Sequence, residues 1–423
     1  MNKENGWEHI EIGKHLKLLS GFPFPSNKFS SEDGVPLIRI RDVVGSKIET
    51  YYQGIVLQPY VIKYGDILIG MDGDFNVAKW RNQDALLNQR VLKVDVDDSG
   101  KLDINLIFYW IQPFIRKINE ITAATTVKHL STKDIINAKG RLPNLKTQKK
   151  IAHILQTIDE AIEKTEALIE KYQQIKAGLM HDLFTRGIDA NGQLRPPREQ
   201  APELYQQTPI GWIPKEWQYE LLDKLAVRGS GHTPSKSHPD YWNGGIKWIS
   251  LADSHRLDQL YISDTEYEIS AQGVQNSSAV VHPAGIVVLS RDAGIGKSAI
   301  TTEPMAVSQH FMCWRCEGTL DNYFLYYWLQ HNKRLFENIA MGSTILTIGL
   351  AYFKRLKVNC PISKDEQINI SSKLKSIDDT LVRYSLEAGK LRSKKSGLMN
   401  DLLTGKVSVK VEEEIQPVAE ACA

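Results

Sequence analysis

The sequence predicts an α+β chain made by internal duplication, with two α+β domains separated by two long antiparallel coiled-coil helices in a pseudo-two-fold arrangement. Three observations point there. Matching motifs recur about 220 residues apart, two stretches keep heptad spacing, and the segments before them break into short β-type runs between turn residues.

The repeat organises everything else. Ile107-Phe108-Tyr109-Trp110-Ile111-Gln112 returns as Leu325-Tyr326-Tyr327-Trp328-Leu329-Gln330, and Thr125-Thr126-Val127 as Ser343-Thr344-Ile345. Ile158-Asp159 returns as Ile377-Asp378. Gly178-Leu179-Met180-His181-Asp182-Leu183 returns as Gly397-Leu398-Met399-Asn400-Asp401-Leu402. The front parts match more loosely: Ile38-Arg39-Ile40-Arg41-Asp42 faces Ile249-Ser250-Leu251-Ala252-Asp253, and Asn88-Gln89-Arg90 faces Ser308-Gln309-His310. A period this long is not a solenoid repeat; it is a duplicated two-part module.

The second part of each module reads as a long helix. Ile151, Leu155, Ile158, Ile162, Thr165, Ile169, Tyr172, Lys176 and Leu179 follow alternating spacings of four and three, as do Ile370, Leu374, Ile377, Leu381, Tyr384, Ala388, Leu391, Lys395 and Leu398. Two such seams in one chain most simply bury each other. Antiparallel packing would give a rod of roughly 45 Å. The front parts show β-type runs at 35–40, 66–69 and 89–96, then a helix near 104–118. Connector residues 187–209 hold Gly192, Pro196, Pro197 and Pro202 and read as exposed. The resulting division is 1–145 first domain, 146–186 first helix, 187–208 connector, 209–362 second domain, 363–405 second helix and 406–423 flexible tail.

Composition sets the outer limits. With 42% apolar and 24% charged residues the chain is ordinary globular protein, and a net charge of +2 leaves nucleic-acid binding to local patches. The start has no apolar leader segment, and the richest apolar stretch, 107–115, is interrupted by Gln112 and Pro113. Four cysteines do not make a disulfide framework. The expected compartment is the cytoplasm, with no membrane partner.

Several stretches in matching places carry a family likeness. Leu142-Pro143 with Gln148 and Ile151 is echoed by Cys360-Pro361, Gln367 and Ile370; the helix ends at Gly178 and Gly397 repeat; and Gln193-Leu194-Arg195-Pro196 precedes Pro209-Ile210-Gly211-Trp212-Ile213-Pro214. Together, in order and duplicated, they make the chain resemble the specificity (S) subunits of type I restriction–modification systems over almost its whole length. The resemblance implies two target-recognition domains, each reading one half of a split target in double-stranded DNA, and no catalysis. It also implies partners: two methyltransferase (M) subunits and two motor-nuclease (R) subunits. No cofactor belongs to this chain on that reading; S-adenosylmethionine, ATP and Mg would sit in the partners. Half-site readers one helical turn, ~34 Å, apart fit the expected rod.

Motifs for other chemistry fall short. The one Pro-Pro is Pro196-Pro197-Arg198 in the connector, without the Asn/Asp-Pro-Pro-aromatic pattern of amino-methyltransferases. Gly294-Ile295-Gly296-Lys297-Ser298 lacks the first glycine of a phosphate-binding loop, where Arg291 stands. Cys313-Trp314-Arg315-Cys316 has no second cysteine pair, and its alternation with Phe311 reads as a core strand. No metal site is expected.

Base reading needs Arg, Lys, Asn, Gln, Ser or Thr at base edges. In the first domain the candidates are Asn27, Lys28, Arg39, Arg41, Lys79, Arg81, Asn88, Gln89, Arg90, Lys128 and His129. In the second they are Ser235, Lys236, Arg291, Lys297, Ser298, Gln309, His310, Thr344 and Thr347. Arg39 and Arg41 would share one strand face. Tyr172, Leu183, Phe184 and Leu402, taken as exposed beyond the seam, are the candidates for docking the methyltransferase. Two rival readings are a stand-alone nucleic-acid enzyme and a coiled-coil scaffold with two protein-binding domains. Activity of the isolated chain would favour the first, and salt-insensitive behaviour toward DNA the second.

Overall fold

Heptad spacing without proline produces two long helices, Leu145–Thr185 and Lys364–Thr404. The computed structural model describes residues 6–45, 48–122, 128–340 and 346–410. Thr344 and residues 411–423 of the expected tail lie outside that description. The chain divides into two units, Met1–Thr165 with Glu387–Ala423, and Glu166–Leu386. Each unit therefore takes a front domain, the first part of one long helix and the last part of the other.

In the first unit, Trp7–Ile10 pairs antiparallel with Gly140–Pro143. A four-stranded antiparallel sheet runs in the order Leu16–Ser20, Val91–Val96, Ile67–Gly70, Val77–Lys79. A second, five-stranded sheet contains a parallel pair, Val35–Ile38 with Ala85–Leu87. The helix Ile104–Ile121 begins on Asp103, whose carboxylate accepts the Leu106 N–H at 2.9 Å, satisfying one of the free amides of the first turn. Ile67, Ile69, Leu92 and Val94 pack against Leu106 and Tyr109 of that helix and against Ile151 and Leu155.

The second unit repeats this plan. Trp217–Leu221 pairs with Lys357–Pro361 in the register of Trp7 with Pro143. Ala226–Ser230, Phe311–Cys316, Val287–Ser290 and Ser298–Thr301 form the matching run of strands, extended by Tyr261–Ile262. Trp242–Ile249 lies parallel to Met305–Val307, as Val35–Ile38 does to Ala85–Leu87. Asp321 caps the helix Asn322–His331 through the Phe324 N–H at 2.8 Å.

A buried glutamine fixes each long helix to its front domain. Gln148 accepts the Asp103 N–H at 2.9 Å and donates to the carbonyls of Lys101 and Pro143. Gln367 makes the same three bonds with Asp321, Thr319 and Pro361. Both N–H donors of each amide are used and its oxygen accepts one bond, so the extra residue between Pro361 and Gln367 changes only the turn, and not the attachment.

Three sequence expectations are corrected here. Leu183 and Phe184 are 0% and 3% exposed in the core of the second unit, and Leu402 is 4% exposed in the core of the first. The end of each long helix closes the other module's core, so these side chains are packed there and are not free for a partner. Tyr172 is half-buried, its ring 5.7 Å from that of Tyr384 in the seam. The connector is not a loose exposed strap either. Arg195 is buried and holds Glu366 through two bonds, 2.6 and 2.9 Å, while the same carboxylate accepts from Trp217 Nε1 and the Ile188 N–H. Burial opposes the guanidinium charge, but Glu366 and Glu216 outweigh it and keep Arg195 protonated.

Candidate nucleic-acid interface

In the first unit the chain leaves the strand Ile67–Gly70 into a turn anchored by Phe75, which is buried although its φ is +48°. Backbone bonds from Met71 to Arg90 (3.0 Å), Gly73 to Lys128 (3.1 Å) and Leu130 to Met71 (2.7 Å) bring three segments together. Their side chains converge on one carboxylate. Asp72 Oδ1 lies 2.7 Å from His129 Nδ1, and Oδ2 lies 3.4 Å from Arg90 Nε. Arg90 remains more than half exposed, so its outer nitrogens keep unused donor capacity.

The second unit builds the same cluster with different residues. Arg291 donates its backbone N–H to His310, and Ile348 donates to Arg291, as Met71 and Leu130 do. Asp292 is paired with His310 Nδ1 and accepts from the Thr347 hydroxyl. Arg291 Nε donates to the Ile348 carbonyl at 2.9 Å. Asp72, Arg90 and His129 thus stand where Asp292, His310 and Thr347 stand. A carboxylate that holds a basic or hydroxyl side chain in one orientation prepares it for directional hydrogen bonding at little further entropic cost.

The remaining candidates separate into two groups. Asn27, Lys28, Gln89 and Lys236 carry exposed side chains with no partner among the described residues, and the exposed Arg39 acts electrostatically on Asp42. Arg41 is half engaged, with Glu49 at 3.3 Å and Thr50 at 3.4 Å, and Ser235 bonds Ser237 at 2.7 Å. Others are committed to the fold. Ser298 is 0% exposed and its hydroxyl already accepts from Gln330 at 2.8 Å, so it is committed within the fold. Lys79 bonds Asn105 at 2.7 Å and lies over the Phe108 ring; burial holds its pKa down. Arg81 pairs with Glu163 of the long helix. Asn88 is buried and accepts from the Gln89 N–H. Lys128 bonds the Asn119 carbonyl at 2.6 Å, and Lys297 the Ser254 carbonyl at 3.0 Å.

The expected Arg39–Arg41 strand face is also corrected. The strand ends at Ile38, because the Asp42 carboxylate accepts the Arg39 N–H at 3.0 Å and starts a short 3-10 turn, Ile40–Asp42. Asp253 does the same for Ser250 at 2.8 Å. Cys313 and Cys316 lie on the strand Phe311–Cys316, and burial pushes the Cys313 thiol up to about 12, far from a reactive thiolate. Sequence reasoning did not single out Asp72 and Asp292. Their signal was position: each follows its glycine, Gly65 or Gly285, at the same distance.

Two copies of the type I restriction modification DNA specificity domain match the chain, at residues 4–174 and 214–388. The chain belongs to that family. It is a specificity subunit, the non-catalytic DNA-recognition component that reads a bipartite target and directs the methyltransferase and restriction subunits to it. The EcoBI specificity subunit of Escherichia coli is 38% identical over 40% of this chain and 36% of its own length. The MjaVIII specificity subunit of Methanocaldococcus jannaschii is 24% identical over 96% and 93%. Among solved structures, the S subunit from M. genitalium superposes with a TM-score of 0.63, at 14% identity over 95% of this chain and 98% of that one. That likeness shows a shared fold. No described helix of this specificity subunit is long and apolar enough to cross a membrane.

Proposed function

We propose that each front domain reads its half-target through the cluster built on its part-buried carboxylate, Asp72 or Asp292. In the first domain Arg90, His129 and Gln89 face base edges, with Lys28 and Arg39 on phosphates. In the second, Gln309, His310 and Thr347 read bases, supported by Arg291 and Lys236. One observation carries this reading: the same three-segment cluster is built twice on the same backbone bonds, yet its variable members differ, Arg90 against His310 and His129 against Thr347. A constant frame with changed donors is what two domains reading different sequences require.

The assembly would contain two methyltransferase subunits and two motor-nuclease subunits, acting in the cytoplasm. S-adenosylmethionine, ATP and magnesium would be bound by those partners and not by this chain. The test is co-expression with the partner methyltransferase, followed by genome-wide mapping of methylated adenines. A split motif that depends on this chain is expected. Exchanging Arg90 or His129 should relax only one half, and exchanging Gln309 or His310 only the other. Relaxation of both halves by either exchange would sink the assignment.

A further inference from the structure

The second unit holds a cavity of about 710 Å³, a size typical of small-molecule sites, between the strand Trp242–Ile249 and the Gln309–His310 turn. Its origin is a local irregularity. The pairing of Trp242–Ile249 with Tyr267–Ile269 slips between Trp242 and Ile246, so residues Asn243, Gly244 and Gly245 bulge from the ladder. Asn243 takes φ +56°, a conformation that asparagine tolerates better than most residues.

The lining combines aromatic rings with polar atoms. Trp242 and Trp248 meet edge to face, centroids 5.2 Å apart, and Tyr267 adds a third ring. Both indole N–H groups are engaged with backbone carbonyls, Ser235 at 3.2 Å and His232 at 3.1 Å, and the half-buried Trp242 offers π surface while Trp248 is 5% exposed. Ser308 also lines the cavity. It is 0% exposed, and its hydroxyl has no hydrogen-bond partner among the described residues. A buried hydroxyl left unpaired costs stability, which a bound group with donors and acceptors at its edge would restore. Lys236, exposed and without a partner among the described residues, stands at the same cavity.

We propose that this cavity receives one unstacked nucleobase of the bound DNA. Its plane stacks on the Trp242 ring and meets Trp248 edge-on, its edge bonds the Ser308 hydroxyl, and Lys236 neutralises the adjoining phosphate. Flat aromatic surface, an edge-bonding group and a cation are the three requirements for holding a base outside the helix. The cavity shares Gln309 and His310 with the proposed reading cluster, so a base leaving the stack there has a short path. The proposal rests on the DNA-reading assignment and adds a specific extrahelical contact to it.

The experiment uses the full chain in complex with its methyltransferase partner. Duplexes of the mapped target carry 2-aminopurine at each position in turn, and fluorescence is read on binding. One position is expected to change its emission in a way that Trp242→Ala abolishes, Trp242→Phe largely retains and Ser308→Ala weakens. Trp242→Ala should also reduce affinity about tenfold. Ser308→Ala should leave the unfolding midpoint of the free protein unchanged or raised, because the lost hydroxyl had no partner. If the complex binds its target but no position depends on Trp242 and Ser308, the cavity assignment is overturned while DNA reading stands. If Ser308→Ala destabilises the free protein, the hydroxyl is structural and the assignment is again overturned. Failure of the complex to bind any target would remove the DNA-reading assignment and this one with it.

Discussion

Lys395 Nζ lies 2.7 Å from Asp159 Oδ1, and the other oxygen of that carboxylate accepts the Tyr109 hydroxyl at 2.7 Å. The second unit repeats the arrangement: Lys176 is 2.5 Å from Asp378, which also accepts from Tyr327 at 2.8 Å. In each case the lysine comes from one long helix, the aspartate from the other, and the tyrosine from the front domain. Burial and the neighbouring carboxylate both push the tyrosine pKa up, so the phenol stays a donor. A polar contact at one place in an apolar seam fixes the register of the two helices, since a slip would leave a charge unpaired.

Asp159→Asn should therefore destabilise the first unit by about 2 kcal/mol, somewhat below the cost of breaking a fully buried pair. The double variant with Lys395→Met should cost less than the sum of the single changes, with a coupling of about 1 kcal/mol. Urea unfolding of the four proteins checks this. Strict additivity would mean that solvent screens the pair.

Phe184→Ala and Leu402→Ala probe the helix ends. If these side chains close the cores, each substitution should cost about 3 kcal/mol, the usual range for a large apolar side chain removed from a packed interior. Phe184→Ala should act on the second unit and Leu402→Ala on the first. Local hydrogen-exchange protection resolves the two. A loss of methyltransferase binding without loss of protection would restore the docking role.

What was legible in the sequence follows from what repeats. The seams at Ile151–Leu155 and Ile370–Leu374 were readable because a heptad pattern needs no knowledge of the partner helix. The same applies to Gln148 and Gln367, whose matching positions announced a shared task. The fates of Leu183 and Leu402 were not readable, since they depend on contacts with segments far away in the chain. Ser298 and Lys79 fail for a related reason: a polar residue near glycines looks like a surface reader until the fold supplies Gln330 or Asn105. Asp72 was overlooked because an acid seems wrong beside DNA, and its role is to hold Arg90 and His129.

Acid should weaken the second unit in particular. Burial lowers the pKa of both His282 and His331 below 6.5, and His181 lowers His331 further. In the unfolded chain these histidines bind protons near pH 6.5, whereas in the folded unit they do so only at lower pH. The unfolded state then carries more protons, so stability is fully present above about pH 6.5 and declines as the pH falls below it. Replacing His331 by Phe, which can stack on Phe184 as the imidazole does, should flatten the decline. Thermal unfolding between about pH 7.5 and pH 5.5 reads the slope directly. An unchanged slope in that variant would assign the acid sensitivity elsewhere.

Salt and sequence should separate the two classes of surface residue in the first domain. Lys28 is exposed with no partner among the described residues and Arg39 is exposed beside Asp42, the condition for cations that track phosphates, whereas Arg90 is held by Asp72. Lys28→Ala or Arg39→Ala should weaken binding equally on cognate and altered targets and reduce the slope of log affinity against log salt by about 1. Arg90→Ala should instead cost about 1–3 kcal/mol on the cognate half-site and little on a target altered at the base it reads. Asp72→Asn distinguishes positioning from contact. It frees Arg90 without removing it, so the loss should be in discrimination and not in overall affinity, which a titration on matched and mismatched duplexes resolves. If Arg90→Ala behaves like Lys28→Ala on every target, the cluster binds backbone and the bases are read elsewhere.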